Sequence, residues 1–564
     1  MNKKVIYLAL GVALISFTGC NKKLSQFKSS YFTTVPTPLE AVGQTVPGTV
    51  TANIPAKVMV KNAKVQAVPT LVWQDGSKEA ETTATPVVFQ GEDVRANGQV
   101  VSYKEGGNVQ IPFRFVYYPG AEKSDMYLDF NVDQNGKTYK LPRVKVGYGV
   151  LATSALAGAR TVAPAVAPDD FKKVITEKYT ADIHFLINQA NIRANQTSKA
   201  DYIDLNKKLM EANAAPNQEI AGITVNSYAS PEGTLEFNTQ LAEKREKNTT
   251  NYLENQLKKD KITEFGELTS SFTPEDWEGF EKLVEKSNIQ DKDLILSVLK
   301  LYPDPVERER EIRNLSSVFN ELADQILPQL RYSRVMAQIN TLGKSDRELV
   351  DLFNTNPQAL TENEMLYIAT LTDDNMKKME VYNKAAELFS KDYRTFNNLG
   401  VTQFRAGDYE GAKANWEHAL RLNPAAKEPQ MNLGLISMIN GDMARANEQF
   451  GAATGVPETA DALGVYYLAQ GDLQSAVNAF GSLKNNNAAV AQILNKNYSG
   501  AKEILDNIKN PDATTYYLNA VVGARTNNEN MVMNNLRQAV KLDNSLLKRA
   551  QNDLEFASYN LSYL

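Results

Sequence analysis

The chain has 564 residues, too many for one core, and its length alone argues for three or four domains. It is 43% hydrophobic and 23% charged, an ordinary globular composition, and 61 basic against 66 acidic residues leave a net charge of −5 that offers no electrostatic footprint for nucleic acid. A single cysteine excludes internal disulfides and Cys-based zinc sites, and two histidines, His184 and His418, leave little for metal or acid–base chemistry, so no catalysis, metal or cofactor is expected.

The cysteine is informative by position. "MNKKVIYLALGVALISFTGC" starts basic with Lys3 and Lys4, runs apolar from residue 5 to 17, and sets Gly19 before Cys20. The segment is similar to a bacterial lipoprotein signal. That resemblance implies removal of residues 1–19, lipidation of Cys20, and attachment to the outer membrane with the periplasmic face favoured and surface exposure open. Beyond it, no stretch has the roughly 18 consecutive apolar residues of a membrane span.

After a tether, 20–49, residues 50–154 carry strand signals. "MYLDFNV" alternates Met126, Leu128, Phe130 and Val132 on one face, and "DQNG" comes next as a turn. Several short strands with turns between them predict an all-β sandwich. "ALAGARTVAPAVAPDD", 155–170, is rich in small residues and proline and reads as a linker.

Residues 171–345 mix strands and helices, an α+β pattern. "IAGITVNSY" is a strand that enters the turn "ASPEG". A helix then starts from Thr234, with Phe237, Leu241 and Tyr252 marking its inner stripe and Leu253 and Leu257 widening it. Residues 262–328 read as a helical insertion. Within it "TPEDW" suggests an N-cap at Thr273, and Ile312, Leu315, Phe319, Leu322 and Ile326 form a stripe. "LRYSRVMAQI" reads as a last strand.

Residues 363–564 repeat. Gly400 recurs at Gly434 and Gly407–Asp408 at Gly441–Asp442, a period of 34, which then shortens to 30 at Gly464 and Gly471. A 34-residue helix–turn–helix period resembles the tetratricopeptide repeat, and about five or six units would stack into an α-solenoid. Its glycines, alanines and aromatics read as packing positions, and its surface as one for other envelope proteins.

"ITVNSYASPEGTLEFNTQLAEKREKNTTNYL" is similar to the peptidoglycan-binding signature of the OmpA C-terminal domain family, in the version of Bacteroidetes proteins. The shared frame is the strand, the turn with Gly233, Asn238 and Arg245 in the helix, and Tyr252–Leu253. The resemblance implies binding of diaminopimelate by an aspartate in the turn and an arginine fifteen residues on, positions held here by Ser230 and Arg245. A neutral hydroxyl at Ser230 cannot pair with an ammonium. Glu232 either supplies the missing charge or complements the dipole of the next helix. Arg245 lies on the apolar side of that helix, either for a ligand carboxylate or as an internal or snorkelling cation. Ser230, Glu232, Gly233, Asn238 and Arg245 are thus the candidate peptidoglycan site, and Cys20 the lipidation site.

Overall fold

The structure, a computed structural model, describes residues 6–7, 24, 26–289, 291–314 and 316–564. Most of the leader, Cys20 and Leu315 lie outside the described residues, as does the side chain of Phe319. The chain forms two compact units: Met1–Asp169 with Thr372–Leu564, and Asp170–Leu371. No described helix is long and apolar enough to cross a membrane.

The N-terminal β-rich region contains β1 (Phe32–Val35), β2 (Thr45–Ile54), β3 (Ala63–Asp75), β4 (Lys78–Thr83), β5 (Val87–Gly91), β6 (Gly107–Val116), β7 (Ser124–Gln134) and β8 (Lys137–Tyr148). One antiparallel sheet runs β1–β2–β6. A second runs β4–β3–β7–β8, with β5 also paired to β3. Alternation decides which side faces inward: Met126, Leu128, Phe130 and Val132 of β7 share a core with Val50, Ala52 and Ile111 of the other sheet. Asn135 and Gly136, both with positive φ, close the β7–β8 hairpin as a two-residue loop. Strand β1 begins at Phe32, inside the segment expected as tether. The reason is packing: Phe27 is buried, its ring 4.9 Å from that of Phe130. Ile6–Tyr7, within the expected leader, also pairs as a short strand with β4.

The second unit is α+β. It contains β9 (Val174–His184), α1 (Ala200–Ala214), β10 (Gln218–Tyr228), α2 (Leu235–Lys259), β11 (Glu267–Thr273), a helical excursion α3 (Trp277–Lys286), α4 (Lys292–Leu301), α5 (Pro305–Asn314) and α6 (Ser316–Gln325), then β12 (Tyr332–Leu342), α7 (Asp346–Thr355) and α8 (Glu362–Ile368). The sheet order is β9–β12–β10–β11, with only the β10–β11 pair parallel. Leu205 and Leu209 of α1 and Leu253 and Leu257 of α2 share one core with Ile183, Ile223, Val225 and Val335 of the sheet. Phe280, Val284, Ile295, Ile312, Leu322 and Ile326 make a separate core for the excursion. The stretch expected as purely helical thus starts with a strand. Thr273 ends β11, and Asp276, not Thr273, caps α3 by accepting from the Gly279 amide.

The C-terminal region begins with α9 (Asn375–Leu388) and continues as five hairpins: α10 (Tyr393–Arg405) with α11 (Tyr409–Leu422), α12 (Lys427–Ile439) with α13 (Met443–Ala452), α14 (Thr459–Gln470) with α15 (Leu473–Phe480), α16 (Asn486–Leu494) with α17 (Tyr498–Asp506), and α18 (Ala513–Arg525) with α19 (Glu529–Leu542). Then comes α20 (Ser545–Asn552). Two local rules produce the hairpins. Gly407, Gly441 and Gly471 take positive φ where the first helix ends, and Asp408, Asp442 and Asp472 cap the second helix. Further in, a Cβ on Gly400, Gly434 or Gly464 would lie 2.4–2.6 Å from the ring of Trp416, Phe450 or Phe480. Glycine therefore lets the two helices approach until the ring covers the backbone.

Candidate functional site

The turn after β10 is a closed charge network. Glu232 receives both arms of the Arg331 guanidinium, Nε to Oε1 at 2.8 Å and Nη2 to Oε2 at 2.9 Å. The Ser230 hydroxyl donates to the same carboxylate at 2.6 Å, and Arg313 donates to the Glu232 carbonyl. Asn238, in the first turn of α2, donates to the Gly233 carbonyl at 3.1 Å and to Glu275 at 3.4 Å. Gly233 packs close to that side chain: a Cβ there would sit 3.0 Å from the Asn238 oxygen. Thr234 caps α2.

Arg245 is fully buried. Its guanidinium donates to the carbonyls of Gln189 (3.0 Å), Tyr228 (2.8 Å) and Leu186 (3.3 Å) and lies 5.0 Å from the centre of the Phe185 ring. Burial, together with the like charge of Arg331 and against the pull of Glu232, lowers its pKa to about 10. Arg245 and Glu232 therefore feel each other without touching. The five predicted residues gather around one turn, but the acid is committed to Arg331 and the arginine to backbone carbonyls.

On the same sheet a cavity of about 640 Å³ opens between β9, β10, β12 and α3. Tyr228 and Tyr332 stack there at 4.6 Å, the Tyr332 hydroxyl donates to Asp276, and Arg334 grips Asp182 with two bonds. His184 lies against Tyr332 with a buried Nδ1 that has no hydrogen-bond partner, and burial lowers its pKa. Trp277 bonds Glu275 and carries Arg308 over its ring. Both residues sit at the cavity wall rather than in a catalytic pairing.

The repeat array has its own polar line. Asn397 and Asn398 on α10, Asn432 on α12 and Asn487 on α16 are all buried, each on the first helix of its hairpin. They bind the segment read as a linker. Asn432 brackets Ala165, accepting from its N–H at 2.7 Å and donating to its carbonyl at 2.9 Å; Asn398 brackets Ala167 in the same way at 2.8 and 3.0 Å. Asn397 adds a bond to the Ala165 carbonyl, Thr161 donates to Asn487, and Arg394 donates to the carbonyls of Pro168 and Asp169. Residues 155–168 thus leave the β-rich region not as a free spacer but as a strap packed into the array, with 3-10 turns at Thr153–Leu156 and Ala159–Thr161 and an extended run after them.

At the far end of the array the β-rich region is held directly. Arg525 bridges Glu40 and Glu555, and Thr153 donates to Glu555 at 2.6 Å. Sequence reading missed Arg331 as the partner of Glu232, and it missed the asparagines. Asn398 and Asn432 are one 34-residue period apart, so the signal was the repeat itself read for polar rather than for apolar positions.

Comparison with known proteins matches the tetratricopeptide repeat family model to residues 393–426, the α10–α11 hairpin. Over 108 residues, 18% of this chain, the sequence is 34% identical to BBSome complex member BBS4 of Bos taurus. The chain spans 21% of that relative's length. Among solved structures, it is similar to the APC/C hetero-tetramer Cut9–Hcn1 (17% identity, TM-score 0.33, 37% of this chain and 45% of that one). A tetratricopeptide repeat protein from Parabacteroides merdae gives 14% identity and a TM-score of 0.30, over 36% of this chain and 88% of that one. Yeast Tom70 gives 12% and 0.28, over 71% and 67%. The C-terminal region carries tetratricopeptide repeats, behind an N-terminal β-rich region.

Proposed function

We propose that this chain is a non-catalytic envelope scaffold: a lipoprotein anchored through Cys20 in the outer membrane, whose repeat array docks other envelope proteins. The observation that carries the reading is the array itself, a run of stacked hairpins of a family built for protein contacts. The leader ending in Gly19–Cys20 supports the anchor. An OmpA-like central domain is supported by element order: strand, turn with Gly233, helix with Asn238 and Arg245, and a strand directly after Arg331.

A second reading, contact with peptidoglycan through that domain, is favoured by Arg245, whose bonded partners are three carbonyls and no carboxylate. A diaminopimelate carboxylate would complement that charge once the turn opens, since the guanidinium has no solvent exposure in this structure. The ammonium end has no free acid, because Glu232 is held by Arg331. We therefore rank scaffolding first.

The test is site-specific photo-crosslinking in native envelopes from Lys413 and Arg421 on the outer helix α11, beside sedimentation of purified protein with insoluble peptidoglycan. Scaffolding predicts discrete envelope-protein adducts and no sedimentation. Sedimentation without adducts selects the wall-binding reading, and the absence of both adducts and sedimentation overturns the two together. Failure of Cys20→Ala to shift the protein from the membrane to the soluble fraction would remove the anchor.

A further inference from the structure

The strap in the array is bound largely through its main chain, by buried asparagines that are also hydrogen-bonded to one another from Asn432 to Asn397 to Asn398. Asn398 and Asn432 each satisfy both the N–H and the C=O of one strap residue, which is what a neighbouring β-strand would do. The two asparagines sit one repeat apart, and the residues they hold sit two apart, so successive hairpins read successive inward positions of an extended chain. Burial follows this reading over the bracketed stretch, where Ala165 and Ala167 are buried and Val166 and Pro168 exposed; just before it the order changes, with Pro164 buried and Ala163 exposed. Pro164 and Pro168 flank the bracketed residues, where no N–H is needed, and their fixed φ lowers the entropy of holding the chain extended.

A covalent spacer does not require this arrangement. Without the strap, buried Asn398 and Asn432 would each have donor and acceptor capacity aimed into a groove, while Asn397 and Asn487 would each lose one bond and keep their side-chain partners. We propose that the inner groove of the repeats is a peptide-binding site, occupied in cis by residues 156–169 of the same chain. Its ligand chemistry is an extended backbone with alanine-sized side chains at the inward positions. A larger inward side chain would meet the packed helices on which Ala165 sits fully buried. This deepens the scaffold reading by directing outside partners to the outer helices, and it stands whether or not the chain is anchored to a membrane.

The test uses the full chain with residues 156–168 replaced by a Gly/Ser segment of equal length, titrated with a fluorescent synthetic peptide of residues 156–169. Saturable binding is expected. Combining Asn398→Ala with Asn432→Ala is expected to weaken it by about tenfold or more, because buried strap amides lose their partners. The same peptide with Ala165→Glu and Ala167→Glu is expected not to bind. Absence of binding by a replacement variant with native circular dichroism and a cooperative melt overturns the proposal, as does equal binding of the glutamate peptide. If the replacement variant does not fold, hydrogen exchange on the otherwise intact chain decides. Loss of protection confined to residues 160–169 in the double asparagine variant supports the site, and unchanged protection there overturns it.

Discussion

The carboxamide of Asn432 forms two hydrogen bonds to Ala165, receiving its N–H and donating to its C=O, in a site where both residues have no solvent exposure. Asn432→Ala leaves the buried Ala165 N–H unsatisfied, whereas the carbonyl keeps its bond from Asn397, and the expected loss is roughly 1–3 kcal/mol of stability. Asn432→Asp keeps an acceptor for the N–H but sets a carboxylate against the Ala165 carbonyl and the Asn397 side-chain oxygen, so it should be at least as harmful. Urea denaturation of the two variants measures both.

The Arg525 bridge makes a separable prediction. Its guanidinium holds one carboxylate from the β-rich region and one from the end of the array, all largely shielded from solvent. Arg525→Met strands Glu555, which is nearly fully buried, and should cost about 3 kcal/mol. The melting temperature should fall, and proteolysis should reach residues near Glu40 earlier than in the parent protein.

Paired glycine substitutions distinguish packing from helix propensity. Gly434→Ala drives a methyl to within 2.4 Å of the Phe450 ring and should destabilise by about 1–3 kcal/mol. Gly451→Ala, on the next helix, has no neighbour within 4 Å and should stabilise by about 0.5–1 kcal/mol. Opposite signs in thermal melts are the expected result.

In the turn, removing the acid should matter more than removing the base. Glu232→Gln leaves Arg331 and buried Arg245 as neighbouring cations, and about 3 kcal/mol should be lost. Arg331→Met leaves Glu232 with its Ser230 bond and the attraction of Arg245, so its cost should be smaller. Combining the two should recover part of the Glu232→Gln loss, which a double-mutant cycle in urea would measure.

His184 gives the central unit a pH dependence. Burial, then the charge of Lys199, hold the imidazole below its usual pKa of about 6.5. Between the lowered folded value and the unfolded one, the unfolded chain binds more protons, so stability rises with pH across that window. Replacing His184 with Asn should flatten the slope of stability against pH between pH 5 and 7 by about that one group's contribution.

The architecture was legible wherever one period dominated. Alternation in β7 named its four core residues, and the recurrence of Gly–Asp pairs located the hairpin turns. The period shortens where α13, with 10 residues, replaces the 14 of α11. Less legible were features that depend on partners distant in sequence. Thr273 preceded a proline and acids like an N-cap, yet it pairs along β10, and Asp276 takes the cap. Residues 155–170 carry the composition of a spacer because small residues and prolines also suit a strap lying flush against helices. Glu232 gave no hint of Arg331, 99 residues away. Asn398 and Asn432 were visible as a repeat, but their role emerges only when the strap lies across them.

The occupied groove is tested most directly by single cysteines along the strap, in the chain with Cys20→Ser. Ala163→Cys and Val166→Cys should react quickly with a maleimide, and Ala165→Cys should be protected until the protein unfolds, in step with the exposure of the first two positions and the burial of the third. Equal, rapid labelling at all three positions in the folded protein would show a free spacer and contradict the account.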